Sequence, residues 1–365
     1  MKGKCIMSLL KVGIIGCGGI ANGKHMPAIM ETKKAKIVAF CDIIVERAVK
    51  AKEEYGTEDA KVFKDYKELI KEELDAVYVC TPNRSHSEIT VAALRADKNV
   101  LCEKPMAINY KEAKKMVDVA NETGKILTIG YQYRFRPKNL FLKAECEDGV
   151  LGEVYYANAK ALRRRAVPTW GVFLNEEEQG GGPLIDIGTH ALDMTLWMMD
   201  NYKPVSVSGS VYHKLNNEVE SANAFGPWDP KEFTVEDSAF GFIKMENGAT
   251  IVLESSWALN TRDVNEARTV LCGTKAGADT LEGRLRVNGV KHDKQYILEP
   301  DLSTGGVAFF EGGNSQEDKV VEQNIFLDAV SGKGEIVVKP EQALVVTQIL
   351  EAIYESAALG KEILL

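Results

Sequence analysis

"LLKVGIIGCGGIA", residues 9–21, decides the fold. Its first half is apolar and β-branched, as a buried strand requires, and a glycine run stops it. Gly16, Gly18 and Ala21 then make G-x-G-x-x-A where a helix should begin. Gly16 permits the tight turn. Gly18 lets backbone approach a pyrophosphate at the helix N-terminus, and Ala21 lets the helix pack closely on the strand. A glycine pattern alone says little, so the weight falls on its surroundings.

Those surroundings agree with it. "KIVAFCD" (36–42) reads as a second strand ending in Asp42, 26 residues after Gly16. A carboxylate there suits the ribose diol of NAD and repels a 2′-phosphate. Arg47, one helical turn further, keeps NADP possible. Further strands are expected at 76–82, 99–105 and 125–132, with a short one at 61–63. Helical segments 45–55, 85–96 and 109–123 alternate with them. Such alternation specifies a parallel, doubly wound sheet, here an NAD(P)-binding Rossmann domain over residues 1–131.

After Gly130 the pattern changes. A helix over Pro137–Glu147, a strand at 152–162 and a helix at about 183–199 precede long strands at 204–215, 237–259 and 267–289. Asn247-Gly248 marks a hairpin turn in the second of these. A final helix follows Lys339. Residues 132–365 thus read as an α+β domain built on a large, mostly antiparallel, open-faced sheet. "NEEEQ" (175–179), 216–231 and 301–316 read as exposed loops. "GTKAGA" (273–278) lacks the Ser/Thr of a phosphate loop and reads as a turn between strands.

The chain has 365 residues, 45% apolar and 27% charged, with net charge −8. That length favours two domains. The acidic balance argues against nucleic acid, since the only basic cluster is Arg163–Arg165. No apolar run reaches the roughly 20 residues of a membrane span, and the first residues do not read as a signal peptide. Seven cysteines, with no C-x-x-C pair, argue against a disulfide framework or a zinc site. A reduced, cytoplasmic protein without metal is expected.

Three further motifs carry chemistry. In "CTPNRSHSE", Thr81, Pro82 and Asn83 fall at the carboxyl edge of the sheet, where open α/β sheets bind ligands. Ser85 and Glu88 have the spacing of a capping box, and His86 is either a cofactor neighbour or a surface residue. "CEKP" ends the next strand on the same edge. Lys104 there can donate to a substrate oxygen, and Glu103 serves the cofactor or a salt-bridged turn. In "GGGPLIDIGTHALD", Asp186, His190 and Asp193 are spaced four and three residues apart in an otherwise apolar segment. On a helix they share one stripe, either paired in a core or facing a site.

In that order these motifs resemble the glucose–fructose oxidoreductase / inositol dehydrogenase / rhizopine catabolism family (Gfo/Idh/MocA), across essentially the whole chain. The resemblance implies a Rossmann domain followed by an open-faced sheet domain that forms the oligomer. It implies an NAD(P)-dependent oxidoreductase acting on a secondary hydroxyl of a sugar, sugar derivative or cyclitol. Lys104, Asp186 and His190 match the family's catalytic lysine, aspartate and histidine, in the cleft facing the nicotinamide. His190 suits the general base because imidazole titrates near neutrality. Asp186 orients it and binds a substrate hydroxyl, Lys104 stabilises alkoxide charge, and both Lys104 and His190 remain open as proton acceptor. Asp193 reads as structural. The cofactor set is Gly16, Gly18, Gly19, Ile20, Asp42, Thr81, Pro82, Asn83, His86, Glu103 and Lys104. Tyr133, Arg134, Arg163 and Trp170 join Lys104, Asp186 and His190 at the substrate, the indole by stacking on a sugar ring. Two rival readings share this scaffold: a redox-neutral, NAD-dependent glycoside-cleaving enzyme, and a dinucleotide-binding regulator without catalysis. Retention of all three catalytic residues argues against the regulator. The open sheet face implies a homo-oligomer, a dimer or tetramer.

Overall fold

The computed structural model describes residues 9–218, 222–302 and 318–365. They form two compact units. The first comprises residues up to Met106, Lys111–Gln132 and Gln316–Pro340; the second comprises Ala107–Tyr110, Tyr133–Ser315 and Glu341–Leu365.

The first unit opens with β1 (Leu10–Ile15), a π-helical turn (Ala21–His25) and α1 (Met26–Thr32). β2 (Ala35–Cys41), α2 (Val45–Tyr55), β3 (Gly56–Phe63) and the single turn α3 (Tyr66–Leu69) follow. Then come β4 (Ala76–Val79), α4 (His86–Arg95), β5 (Asn99–Cys102), α5 (Tyr110–Thr123) and β6 (Leu127–Ile129). All strands are parallel, in the order β3-β2-β1-β4-β5-β6. The order reverses at β1/β4, the topological switch where such sheets bind ligands. Every residue of β4 is buried, as expected of a strand covered on both faces.

The second unit holds α6 (Pro137–Glu147), β7 (Val154–Leu162), the single turn α7 (Glu176–Gln179), a π-helical turn (Leu184–Gly188) and α8 (Thr189–Met199). The strands β8 (Pro204–Tyr212), β9 (Ser238–Met245), β10 (Thr250–Ser256), β11 (Asn265–Gly273), β12 (Ala276–Asp279), β13 (Arg286–Lys291) and β14 (Lys294–Leu298) follow. The chain ends with α9 (Asp318–Val330), α10 (Pro340–Leu359) and β15 (Ile363–Leu364). The nine strands run β14-β13-β12-β11-β7-β10-β9-β8-β15, and only β7–β10 is a parallel pair. Burial alternates along β10 and β11, so one face is covered and the other is open. The hairpin at Asn247-Gly248 joins β9 to β10, with Gly248 at φ +86°.

Three expectations need correction. The cut after residue 131 assigns α9 to the second unit, but α9 belongs to the first, where Phe326 and Leu327 enter the core with Ile14, Phe40 and Tyr78. "NEEEQ" is a helical turn, N-capped by Asn175, whose Oδ1 accepts from Glu178 N. The 216–231 segment is not simply exposed: Trp228 is buried, and its Nε1 donates to Asn216 O at 2.7 Å. Most of 301–316 lies outside the described residues, as do residues 219–221.

Candidate active site

The first unit supplies a dinucleotide-shaped edge. Gly16 has φ +90°, and a Cβ there would stand 2.5 Å from Cys80 O, so only glycine makes this turn. Around Gly18 and Gly19 a Cβ would meet no protein atom within 4 Å, which leaves their backbone open to a pyrophosphate. Ile20 is exposed beside them. Asp42 closes β2 with its carboxylate fixed: Oδ2 accepts from Cys17 N and Oδ1 from Ile44 N, each at 2.8 Å. A carboxylate oxygen has a second lone pair, so both bonds leave capacity for a ribose hydroxyl. Thr81 follows β4 and its buried Oγ1 has no protein partner; Pro82 is exposed and Asn83 is buried. These features fit NAD.

His86 is neither at the surface nor open to a cofactor. It is fully buried, with Nδ1 2.8 Å from Pro105 O and Nε2 2.8 Å from Thr81 O. It ties the 81–83 turn to the "EKP" turn, and burial depresses its pKa despite those two carbonyls. The capping box does not form. Ser85 lies in a 3-10 turn that runs straight into α4, and its hydroxyl donates back to Pro82 O at 2.9 Å. Glu88 accepts instead from Tyr66 OH. Glu103 is buried, in an ion pair with Lys24 at 2.8 Å and with its Oε1 2.6 Å from His25 Nε2, which is the salt-bridged arrangement for this turn. Lys104 is half-buried at the end of β5.

The second unit supplies the Asp–His segment. The expected helix at 183–199 starts with the π-helical turn, one residue wider than an α-turn, closed by Thr189 N to Leu184 O. Its N-terminal amides are capped by buried Glu236, which accepts from Gly182 N at 2.7 Å, Leu184 N at 3.0 Å and Tyr354 OH at 2.9 Å. Asp186 Oδ2 accepts from Trp257 Nε1 at 3.0 Å. The His190 ring packs on Tyr133 at 4.6 Å between centroids, and the Arg136 guanidinium lies 3.7 Å above the same tyrosine. Asp193 is structural, in a two-point pair with Arg134: Nη2–Oδ1 2.6 Å and Nε–Oδ2 3.0 Å. Burial raises the Asp193 pKa against the pull of the guanidinium. Arg134 is 0% exposed and also donates to Gln342 Oε1 at 2.7 Å, so its expected place at the substrate is corrected to a core role.

Arg163 pairs with Glu266 at 2.6 and 2.7 Å, and its charge also acts on Asp186. Trp170 is 52% exposed and forms an aromatic cluster with Phe225 and Phe173, at 4.7 and 5.7 Å. The loop carrying Trp170 is bound near Asp186's partner, since Ala166 N donates to Trp257 O at 3.0 Å. Sequence reasoning missed Glu236, Trp257 and Lys24. The first two act across long separations and carry no local signal. Lys24 stands eight residues after Gly16, and only the structure shows that it is buried. Among the described residues no group of His, Cys, Asp and Glu is placed to hold a metal, and no helix is long and apolar enough to cross a membrane.

Comparisons with known proteins agree with this geometry. Residues 10–131 match the model of the oxidoreductase family with an NAD-binding Rossmann fold, and residues 140–279 match the GFO/IDH/MocA C-terminal domain. The chain is 35% identical to D-glucoside 3-dehydrogenase of Escherichia coli over 364 residues, covering 100% of this chain and 99% of that one. It is 32% identical to glucose-6-phosphate 3-dehydrogenase of Bacillus subtilis over 65% of each chain. Levoglucosan dehydrogenase, solved with NADH and levoglucosan, shares the fold with a TM-score of 0.83 at 22% identity, over 98% of this chain and 99% of that one. The glycine turn, the "EKP" turn, the Asp–His segment and these full-length matches together place the chain in the Gfo/Idh/MocA family of NAD-binding oxidoreductases.

Proposed function

We propose that this chain is an NAD-dependent dehydrogenase that oxidises the secondary hydroxyl at the third ring carbon of a D-glucoside. The observation that carries the chemistry is the pairing of Asp186, held by Trp257 at 3.0 Å, with His190, backed by Tyr133 at 4.6 Å, on one helical segment. Support for the position on the sugar comes from two relatives, both named for dehydrogenation at that carbon. Gly16, Gly18, Gly19 and Ile20 would hold NAD at its phosphates and Asp42 would hold it at a ribose; the cofactor would supply the hydride acceptor. His190 takes the hydroxyl proton as general base. Asp186 orients the imidazole and a neighbouring hydroxyl. Lys104 donates to the reacting oxygen and stabilises its negative charge. Trp170, with Phe225 beside it, offers an open indole face to the apolar face of a sugar ring.

The protein is further read as a cytoplasmic homo-oligomer. The six described cysteines are free, and the open side of the second sheet exposes Phe242 at 44% and Tyr212 at 40%. NADH formation across D-glucosides, free hexoses and inositols tests the reading, with the product identified by mass and carbonyl position. Lys104→Ala and His190→Ala should each lower kcat by roughly a hundredfold to ten-thousandfold while NAD binding persists. Glycoside cleavage without NADH accumulation would replace the dehydrogenase with a redox-neutral enzyme. Full activity in both variants would remove the site assignment.

A further inference from the structure

One buried charge cluster in the first unit has no part in that chemistry. Lys24, in the π-helical turn after the glycine loop, is 5% exposed. Its ammonium lies 2.8 Å from Glu103 Oε1 and 2.9 Å from Glu322 Oε2, and both carboxylates are buried. His25 Nε2 shares the same Glu103 oxygen at 2.6 Å, and Gln323 Nε2 stands 3.2 Å from His25 Nδ1. The free end of this chain of contacts is the "EKP" turn, where Lys104 N donates to Glu103 Oε2 at 3.1 Å.

Stability alone does not account for the cluster. Burying a charge costs several kcal/mol, and replacing a buried ion pair with apolar residues is often neutral or stabilising. The backbone is also shaped to admit it: a Cβ at Gly130 would press to 3.0 Å on the Glu103 carboxyl. On the other side of Lys104, Pro105 O lies 2.8 Å from His86 Nδ1, so the residue is gripped on both flanks. Burial would push the Glu103 carboxyl up, but Lys24 and His25 outweigh it and hold the group well below the ordinary carboxylate range. It therefore remains an anion. Burial pushes Glu322 up, and Lys24 restrains it.

We infer that Lys24 is a positioning residue for Lys104: anchored by Glu322 on α9, it holds the Glu103 carboxylate that fixes the backbone from which Lys104 works. The inference rests on the reading of Lys104 as the group that acts on the substrate oxygen. It makes the glycine-loop helix and the working lysine share one buried anchor, and it gives α9 a part in turnover.

The test uses full-length Lys24→Met, Lys24→Arg and Glu322→Gln. Hydrogen exchange across residues 102–107, NAD affinity, kcat, KM and the primary isotope effect on a deuterated glucoside are measured. Lys24→Met should bind NAD within about threefold of the parent. Exchange at 102–107 should accelerate by at least about tenfold, and kcat should fall by roughly a hundredfold, with a larger isotope effect. Lys24→Arg should recover most of the loss, and Glu322→Gln should lie between. Should Lys24→Met fail to fold, the same shifts in Glu322→Gln decide. Unchanged exchange at 102–107, or a kcat loss that merely follows NAD affinity or global unfolding, overturns the inference. The exchange measurement needs no substrate. A parent chain that oxidises no sugar, with 102–107 still loosened in Lys24→Met, would refute the proposed function and leave the anchoring of Lys104 standing.

Discussion

Replacing Asp193 by Ala should unfold the second unit more readily without touching NAD binding. The carboxylate makes two contacts to Arg134, at 2.6 and 3.0 Å, and the guanidinium is 0% exposed. Arginine cannot shed its charge by deprotonation, so the variant leaves a buried cation with Gln342 Oε1 at 2.7 Å, Tyr202 OH at 3.4 Å and the Trp197 ring at 5.4 Å. None of these three groups replaces the carboxylate. Breaking one side of such a pair costs about 3–5 kcal/mol. At roughly 2–4 °C per kcal/mol for a unit of this size, the midpoint should fall by about 6–20 °C. The Arg134→Met/Asp193→Leu double variant should regain more than half of that loss, because neither charge is then stranded. Denaturant titration and thermal melts, with NAD affinity and turnover measured below the transition, decide the matter. If Asp193→Ala stays within about 1 kcal/mol of the parent while turnover collapses, the pair serves the substrate and the structural assignment is wrong.

Three further outcomes follow from the geometry. Gly16→Ala should destabilise the first unit by more than about 2 kcal/mol, from its positive φ and the approach to Cys80 O. Gly18→Ala, with nothing nearby in the protein, should fold like the parent and lose NAD affinity; equal effects in both would count against the phosphate-cradle reading. Asp42→Asn should weaken NAD by roughly tenfold to a hundredfold and improve NADP, measured by titration of each; an unchanged preference would clear Asp42 of selecting the cofactor. Burial, then Arg268 and Arg136, hold the Lys138 ammonium down to about 8 from 10.5. The unfolded chain thus binds more protons between those values, and stability contributed at this site rises with pH across that window. Lys138→Met should gain stability at pH below about 8 and lose the advantage as pH approaches 10.5, the window those two values set; a gain independent of pH would refute the charge argument.

Much of the fold could be read locally because its signals are local. A glycine with φ +90° at the end of a strand, an acidic strand end and a Pro-started helix at Pro137–Glu147 are all short-range patterns. What stayed hidden depends on distant partners. Asp186 meets Trp257 across 71 residues, and Gly182 meets Glu236 across 54. Neither partner differs in its own neighbourhood from an ordinary strand-end residue. The α9 segment, Asp318–Val330, carries no sharp apolar stripe and no address for the unit it packs into. Arg134 and Arg163 are expected at the substrate from their places in the chain, one where the domains join and one ahead of the Asp–His helix, and only burial distinguishes them. The Ser85–Glu88 spacing was a sound capping pattern undone by one extra 3-10 turn.

The return of α9 to the first unit also has a consequence in time. A nascent chain presents β1 to β6 early, yet Phe326 and Leu327, part of that unit's core, are made only after the intervening 133–325. At roughly 5–20 residues per second the wait is about 10–40 seconds. Through that interval Lys24 has Glu103 but not Glu322, and the apolar seat for Phe326 has no occupant. The dinucleotide-binding half, most of it made before the second unit, is therefore among the last parts to finish folding.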